Sequence, residues 1–326
     1  MQPKVSVNIG KLKLKNPVMV ASGTFGYGEE FKSFLNLKKL GAIVTKTITL
    51  KPRPGNSPPR TCETPAGMLN SIGLENPGVD KFILEKLPIL KKIGVPIIVS
   101  IASEDGPGEF AILARRLDRM QDVAAIELNI SCPNIKVHSS EFAVQSKTLR
   151  TKNYELITKL ISQDPKATYD LVKAVRKVTR KTVITKLSPN VTDITEIARA
   201  AEEAGSDAVS LINTITGMGI DVQNRKPYLA NITGGLSGPA IRPVAVRMVW
   251  EVYQKIKIPI IGTGGIMDAP SALEFFIAGA TAVAIGTANF VDPKASIEII
   301  EGIKKYLEKN KINSIHKLIG SLECKI

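Results

Sequence analysis

The amino-acid sequence predicts an α/β fold, a (β/α)8 TIM barrel that forms a single domain over residues 1–326. Eight short apolar, β-branched runs recur along the chain, and most precede a polar or glycine-rich loop and then an amphipathic helical pattern. Strands that alternate with helices of this length run parallel, because each crossover passes through a helix. The predicted strands are 17–22, 42–49, 96–103, 125–131, 182–188, 208–214, 259–265 and 282–288.

Helical patterns and an N-terminal hairpin complete the predicted barrel. The clearest helical patterns cover residues 78–93, 193–205, 268–280 and 295–310. Asp193 is a suitable N-cap for the second of these helices, and Gly205 is a suitable stop. Residues 4–16 alternate between apolar and polar side chains around Gly10, which predicts a β-hairpin that closes the bottom of the barrel.

A doubly wound open sheet is the alternative fold, since it also alternates strands with helices. The loop after the first strand, residues 21–28, lacks the G-x-G-x-x-G spacing of a dinucleotide-binding sheet, whereas glycine-rich turns follow the seventh and eighth strands. A phosphate site after those two strands is typical of TIM barrels, which favours the barrel.

Composition limits the classes of function. The chain is 44% hydrophobic and carries a formal charge of +14, which suits an anionic ligand, nucleic acid, an acidic partner, a membrane surface or an ordinary lysine-rich surface. Cys62, Cys132 and Cys324 lie far apart, so neither a disulfide framework nor a metal or iron–sulfur site is expected. No secretion signal or membrane-spanning run is recognisable, and we expect a cytoplasmic protein.

Polar residues gather where the predicted strands end, on the face that forms the active site of a TIM barrel. They are Ser22, Lys46, Thr47, Ser100, Asn129, Cys132, Lys186, Ser188, Asn190, Asn213 and Thr214. Lys46 and Lys186 stand inside otherwise apolar strands, where an ammonium group is costly to desolvate and needs an anionic partner. Either lysine alone could instead extend to solvent or pair with a structural carboxylate.

Two glycine-rich turns on neighbouring strand ends predict a phosphate site, because glycine lets backbone N–H groups approach an anion closely. The residues concerned are Gly262, Gly264, Gly265, Gly286 and Thr287. Asn70 and the loop 230–240 add donors and acceptors that suit a planar heterocycle with C=O and N–H edges. Asn70 by itself is equally compatible with an ordinary turn.

A series of longer segments points to one family. In chain order they are ASGTFGYGEEF, KTITLKPRPGN, GMLNSIGLENPG, ELNISCPN, KLSPNVTDI, INT, LANITGGLSGPAI, PIIGTGG and AIGTANF. Over nearly its whole length the chain resembles the catalytic subunits of class 1B dihydroorotate dehydrogenases. The resemblance implies an FMN-binding TIM barrel that oxidises dihydroorotate to orotate in pyrimidine biosynthesis.

The resemblance also implies roles for individual residues. Cys132 is implied to be the base that removes a proton from carbon 5 of dihydroorotate, while hydride passes from carbon 6 to N5 of FMN. The implied substrate-binding residues are Lys46, Asn70, Ser71, Ile72, Gly73, Leu74, Asn129, Asn213 and Thr214. The implied FMN-binding residues are Ser22, Lys46, Thr47, Ser100, Asn129, Lys186, Ile212, Gly238, Gly264, Gly265, Gly286 and Thr287.

The residue types suit these roles. A thiol has an ordinary pKa of about 8.5, so modest stabilisation of the thiolate makes it a usable base near neutral pH. A lysine beside a flavin can neutralise the anionic reduced ring. Without its neighbours, Cys132 would be interpreted as a small buried hydrophobic residue. Asn134 has no implied role and is expected to shape the turn after Pro133.

The chain departs from the family pattern in two places. Ser100 stands where the family usually has asparagine, which brings one FMN contact into question. Residues 135–166 form a longer, more basic insertion after the fourth strand, with a helix predicted over 151–161. This insertion is expected to shape closure over the substrate or to form a partner surface, and His138 within it is expected to be a surface residue.

The resemblance implies a separate electron-transfer subunit that carries FAD and an iron–sulfur cluster and passes electrons to NAD. The scattered cysteines of this chain do not suit such a cluster. A homodimer or a heterotetramer is therefore expected, with neither nucleic acid nor a membrane as partner.

Other functions use parts of the same pattern. A tRNA dihydrouridine synthase is also an FMN barrel with a cysteine acid, and an RNA substrate would account for the positive charge. Only about 38 residues follow the eighth strand, however, too few for its helical RNA-binding domain. A non-redox phosphate-binding isomerase or aldolase would use the glycines and Lys186 without flavin. A binding-only protein leaves Cys132 beside Asn129 unexplained.

Overall fold

The computed structural model of the chain describes residues 2–103, 105–130 and 160–324. Cys132, Asn134, His138 and the predicted insertion up to residue 159, with most of the predicted helix 151–161, lie outside the described residues. The end of that insertion is described, and it consists of a 3₁₀ turn followed by the first turn of a helix that Asp164 caps.

Eight parallel strands close into a barrel, as predicted. The strands of the described residues are β1 Val7–Ile9, β2 Leu12–Leu14, β3 Val18–Val20, β4 Ala42–Val44, β5 Thr61–Thr64, β6 Gly67–Asn70, β7 Ile97–Ile101, β8 Ala125–Asn129, β9 Thr182–Lys186, β10 Ala208–Leu211, β11 Ile215–Met218, β12 Ile220–Asp221, β13 Lys226–Pro227, β14 Thr233–Ser237, β15 Ile260–Gly262 and β16 Ala282–Ile285. The barrel order is β3, β4, β7, β8, β9, β10, β15 and β16, and β16 pairs with β3 to close it. Each barrel strand lies inside one of the eight predicted runs, and the closed order excludes the open sheet.

Helices follow the barrel strands. They are α1 Gly78–Lys81, α2 Leu87–Lys91, α3 Pro107–Asp118, α4 Pro165–Arg176, α5 Ile194–Glu203, α6 Arg242–Tyr253, α7 Ala269–Ala278, α8 Ala288–Val291 and α9 Ala295–Lys309. Short 3₁₀ turns cover Glu29–Phe31, Leu37–Lys39, Ile161–Gln163, Pro239–Ile241 and Ile315–Lys317. The helix predicted over 78–93 is interrupted by a π-helical turn, Phe82–Lys86, next to Pro88, which has no N–H to donate to the carbonyl of Leu84.

Two sequence-level details of the helices are confirmed. The Asp193 side chain accepts a hydrogen bond of 2.8 Å from the Thr195 backbone N–H and so caps α5. Gly205 follows α5 with a φ of +99°, a conformation that favours glycine and ends the helix. None of the helices in the described part of the chain is both long and apolar enough to cross a membrane.

The predicted hairpin covers the N-terminal ends of the barrel strands. β1 and β2 pair antiparallel, with Ile9 opposite Leu12, and the turn at Gly10 has a φ of +54°. A Cβ on Gly10 would lie 2.8 Å from the Cβ of Asp207, which directly precedes β10. The hairpin therefore packs against the bottom of the barrel, as predicted.

A second sheet, which the sequence did not reveal, forms at the opposite end. The segments that follow β4 and β10 meet in a four-stranded antiparallel sheet of order β11-β14-β6-β5. In its register Asn70 lies opposite Gly235, and the Asn70 amide donates to the Gly235 carbonyl at 3.2 Å. This sheet brings distant segments of the chain over the C-terminal ends of the barrel strands. The single-domain organisation of residues 1–326 stays a prediction.

Candidate active site

A cavity of about 400 Å³ opens at the C-terminal ends of the barrel strands. Its walls contain 18 of the predicted site residues: Ser22, Lys46, Thr47, Asn70, Ser71, Ile72, Gly73, Leu74, Asn129, Lys186, Ile212, Asn213, Thr214, Gly238, Gly264, Gly265, Gly286 and Thr287. The fold thus brings together residues from nearly the whole length of the chain. Cys132 lies outside the described residues, three positions after Asn129 in the sequence.

Thr47 is the centre of a hydroxyl network in the wall of the cavity. Its Oγ1 lies 3.0 Å from the Ser22 Oγ and 2.9 Å from the Ser100 Oγ, and it accepts from the Asn129 amide at 3.2 Å. Ser100 is fully buried and does not belong to the cavity wall, so its hydroxyl contacts Thr47 and not the cavity. The position at which the chain departs from the family pattern therefore supports a wall residue from behind.

The carboxamides are oriented by one another and by the backbone. The Asn213 amide donates to the Asn129 side-chain oxygen at 3.3 Å, and the Asn213 side-chain oxygen accepts from the Thr214 N–H at 2.8 Å. Asn190, a predicted strand-end residue, donates to the Thr214 carbonyl at 3.2 Å and accepts from the Thr216 N–H at 2.9 Å. Asn190 thus holds the backbone that presents Asn213 and Thr214.

The wall from Ser71 to Leu74 is held by two asparagines that sequence reasoning missed. The Asn76 amide donates to the Leu74 carbonyl at 2.7 Å, and its side-chain oxygen accepts from the Thr49 N–H at 3.2 Å. The Asn56 amide donates to the Ser71 hydroxyl at 2.7 Å. These bonds fix the loop through two asparagine side chains that do not line the cavity.

Among the described residues of the cavity wall, the charged ones are three cations, Lys46, Arg60 and Lys186, and one carboxylate, Glu75, which together carry a net charge of +2. Arg60 lies 2.7 Å from the Glu75 Oε2, and the Lys46 Nζ lies 3.9 Å from the same oxygen. Arg60 and Glu75 were not predicted, because they lie on loops and not at strand ends. The wall is therefore suited to anionic ligands.

Lys186 differs from the other two cations because its ammonium group has no partner among the described residues. It is the last residue of β9, is only 6% exposed, and its side chain makes no hydrogen bond or ion pair with any other residue that the structure describes. A buried ammonium group without a partner is costly. A ligand that presents an acceptor or a negative charge to Lys186 would remove that cost.

The glycines at one side of the cavity form a cradle that side chains would fill. Gly264 and Gly265 follow β15 with φ values of +131° and +69°, and Gly238 has a φ of +93°. A Cβ on Gly265 would lie 2.7 Å from the Gly238 carbonyl oxygen, and a Cβ on Gly238 would lie 2.7 Å from the Gly67 Cα. The Thr287 hydroxyl, after the neighbouring strand β16, donates to the Ser237 hydroxyl at 2.8 Å. Such a cradle suits a phosphate group.

Tyr27 lies in the loop that follows β3, near Glu75 of the cavity wall. Its hydroxyl is buried and has no hydrogen-bond partner among the described residues. Burial, and then the nearby carboxylates of Glu30 and Glu75, raise the pKa of Tyr27 above its ordinary value. The phenol therefore stays neutral at physiological pH and adds no charge to the site.

The described residues offer no metal centre. Nowhere in ranges 2–103, 105–130 and 160–324 do three or more His, Cys, Asp or Glu side chains gather as a metal site requires. The two described cysteines are free; Cys62 is half-buried in β5 and Cys324 is exposed.

Comparison with known proteins identifies the family of the chain. The sequence profile of the family described as dihydroorotate dehydrogenase matches residues 4–307. A relative from Trichlorobacter lovleyi, named dihydroorotate dehydrogenase B (NAD(+)), catalytic subunit, is 54% identical over 99% of this chain and 100% of its own length. Relatives of the same name from Geotalea uraniireducens and a Thermoanaerobacter species are both 52% identical over 98% of this chain and 99% of their own lengths. The chain therefore belongs to the dihydroorotate dehydrogenase family.

Proposed function

We propose that this protein oxidises dihydroorotate to orotate in pyrimidine biosynthesis, with FMN bound in the cavity at the C-terminal end of the barrel. The observation that supports this most strongly is Lys186, a buried cation without a partner among the described residues, in a cavity wall whose described residues carry a net charge of +2. Membership of the dihydroorotate dehydrogenase family supports the choice of substrate.

The residues present fit FMN on two observations. A Cβ on Gly238, Gly264 or Gly265 would clash with neighbouring atoms, so only glycine fits at these positions of the cradle. Together with Gly286 and Thr287, the cradle would hold the phosphate. Lys186 would face an acceptor edge of the ring system, while Ser22, Thr47, Asn129 and Ile212 would line the ring. When bound, FMN supplies the acceptor for the hydride that leaves carbon 6 of the substrate.

Carboxamides would bind the pyrimidine of the substrate. Asn70, Asn129 and Asn213 each carry a donor and an acceptor, which match the alternating C=O and N–H groups of dihydroorotate. Thr214 and the backbone from Ser71 to Leu74 would complete that wall. Lys46, whose ammonium lies near Glu75, would contact the substrate and the flavin.

Cys132 would act as the base. In the sequence it follows Asn129, the last residue of β8, by three positions. Its thiolate would take the proton from carbon 5 of dihydroorotate, which leaves the C5–C6 double bond of orotate once the hydride has gone from carbon 6. The proton and the hydride together account for the two hydrogens that the substrate loses.

The electrons would leave through a partner. The relatives are named as catalytic subunits of NAD(+)-dependent enzymes. We propose a separate cytoplasmic subunit that carries FAD and an iron–sulfur cluster, within a homodimer or a heterotetramer. The chain has three cysteines in total, fewer than the four thiolates that usually hold such a cluster. If the isolated chain reduced NAD as fast as it oxidised dihydroorotate, this part of the proposal would be wrong.

The experiment that tests the proposal begins with the full chain purified without added cofactor. The protein is expected to be yellow, and acid release of its pigment should yield FMN. Anaerobic addition of dihydroorotate should bleach the flavin absorbance at about 450 nm and produce one orotate for each flavin reduced. A colourless protein that takes up no FMN, or bound FMN that dihydroorotate leaves oxidised, would contradict the proposal.

A further inference from the structure

Glu127 is a buried carboxylate inside the barrel, below the cavity. It belongs to β8 and is only 4% exposed. Side chains two residues apart on a strand face the same side, and Asn129 lines the cavity. Glu127 therefore points into the barrel interior, one layer deeper than Asn129.

Only one oxygen of the Glu127 carboxylate has a hydrogen-bond partner among the described residues. The Glu127 Oε2 accepts from the Ser210 hydroxyl at 3.1 Å, whereas Oε1 is buried and unpartnered among the residues that the structure describes. A buried carboxylate with so few donors is costly, and a nearby positive charge is the usual compensation. The question is which cation supplies it.

Lys186 is placed to do so. β9 lies between β8 and β10, and Lys186 is in register with Asn129 on one side and with Ser210 on the other. The hydrogen bond from Ser210 to Glu127 thus spans the strand that carries Lys186. Neither Lys186 nor Glu127 forms an ion pair in the described part of the chain, and the strand register places these two opposite charges on neighbouring strands, one layer apart in the barrel interior.

We propose that Glu127 is a positioning residue that acts through Lys186 to lower the reduction potential of the bound flavin. This inference rests on the proposed function. Reduction adds negative charge to a flavin, which Lys186 stabilises, and the Glu127 carboxylate offsets part of that stabilisation from behind. A flavin of lower potential is a better donor toward NAD, the acceptor that the relatives' names give.

The test is Glu127→Gln in the full chain with FMN bound, because glutamine keeps the shape and removes the charge. Its flavin midpoint potential should rise above that of the unaltered protein, measured by anaerobic dye equilibration. Ser210→Ala, which removes the hydrogen bond and keeps the charge, should shift the potential less, and Glu127→Asp should stay near the unaltered value. An unchanged or lower potential in Glu127→Gln would overturn the proposal.

A double variant provides an independent test if Glu127→Gln does not fold. Glu127→Met combined with Lys186→Met removes both buried charges, and because Glu127 acts through Lys186 its flavin potential should equal that of Lys186→Met alone. A clearly higher potential in the double variant would show that Glu127 acts on the flavin without Lys186 and would overturn the proposal. A wild-type chain that binds no FMN would overturn both this role and the proposed function, whereas bound FMN with an unshifted potential would overturn only the role of Glu127.

Discussion

Two lysines at opposite ends of β9 differ in their partners, which distinguishes the bottom of the barrel from the top. Lys181 precedes the strand at the bottom, where its Nζ donates to the carbonyls of Met120 and Val123 at 2.9 and 2.7 Å. Lys186 ends the same strand at the top, where it lacks any partner within the described part of the protein. The chain satisfies the lower charge itself and leaves the upper one for a ligand.

The surroundings of the two lysines follow the same division. At the bottom, Arg176 pairs with Asp207 at 2.8 Å and donates to the Lys181 carbonyl at 2.9 Å, so charged groups there hold helix to strand. Burial lowers the pKa of Lys181, and the Asp118 carboxylate acts in the opposite direction. At the top, the glycine cradle and the carboxamides leave open space. Changes at the bottom should therefore alter stability, and changes at the top should alter chemistry or binding.

The largest effect is expected from Cys132→Ala. Loss of a general base should lower the rate of dihydroorotate oxidation roughly 10²- to 10⁴-fold at neutral pH, while FMN stays bound. Stopped-flow reduction of the flavin by dihydroorotate measures that rate directly. Cys62→Ala is the matched control and should retain the unaltered rate. A Cys132→Ala protein that reduced its flavin at near-normal speed would assign the base to another residue.

Lys186→Met tests the upper end of β9. The affinity of the apoprotein for FMN should fall about 10- to 100-fold, since a charged hydrogen bond contributes about 1.5–3 kcal/mol. The free energy of unfolding of the apoprotein should change little, because the cost of burying the ammonium group is removed while the buried Glu127 carboxylate loses a nearby positive charge. Fluorescence titration with FMN and urea unfolding of the apoprotein measure the two quantities. Undiminished FMN affinity would contradict a ligand-binding role for Lys186.

Lys181→Met is the counterpart at the lower end. Two buried carbonyls lose their donor, which should lower the free energy of unfolding by about 1–3 kcal/mol. The affinity for FMN should stay within about twofold of the unaltered protein, since the change lies at the opposite end of the strand. The same two assays apply. A large loss of FMN affinity with intact stability would remove the distinction between the two ends.

Asp268→Ala probes a structural group beside the cavity and should have the smallest effect. Asp268 caps α7 by accepting from the Ser271 N–H at 2.8 Å, so its loss should cost about 1 kcal/mol. The Ser271 hydrogen bond lowers the pKa of Asp268 below its ordinary 3.8. The contribution is therefore present above pH 3.8 and is lost as the pH falls through the lower folded-state pKa. Urea unfolding should show the two proteins converging below about pH 4; a constant difference would contradict capping by the ionised carboxylate.

The barrel was predictable because each strand is a separate apolar run. The predicted strands extended too far, however. The second was predicted over 42–49, but its regular strand ends at Val44; Lys46 and Thr47 line the cavity, and pairing beside β7 returns at Ile48, opposite Ile101. In this strand the polar residues that made its end recognisable are the ones that interrupt the regular pairing.

Other residues of the site showed little or no recognisable pattern in the sequence. Arg60 and Glu75 enter the cavity wall through the loops around β5 and β6, and the pairing of β6 with β14 joins segments more than 160 residues apart. No local pattern reports such a pairing. Glu127 could be noticed in the sequence as an acidic residue in the middle of an apolar strand. Its environment, however, includes the Ser210 hydroxyl of another barrel strand, which only the structure shows.

Local periodicity, strand-end polar residues and specific segments were enough to determine the barrel, its bottom hairpin, the family and most of the cavity wall from the sequence. Those features depend on short-range patterns of burial and backbone conformation, which neighbouring residues encode. The tertiary structure alone decided which charges are satisfied, since the sequence marks Lys186 as a lysine that is costly to bury but identifies a partner neither for it nor for Lys181. A charge is neutralised by groups close in space, and closure of the barrel brings carbonyl groups to Lys181 while leaving Lys186 to face the cavity.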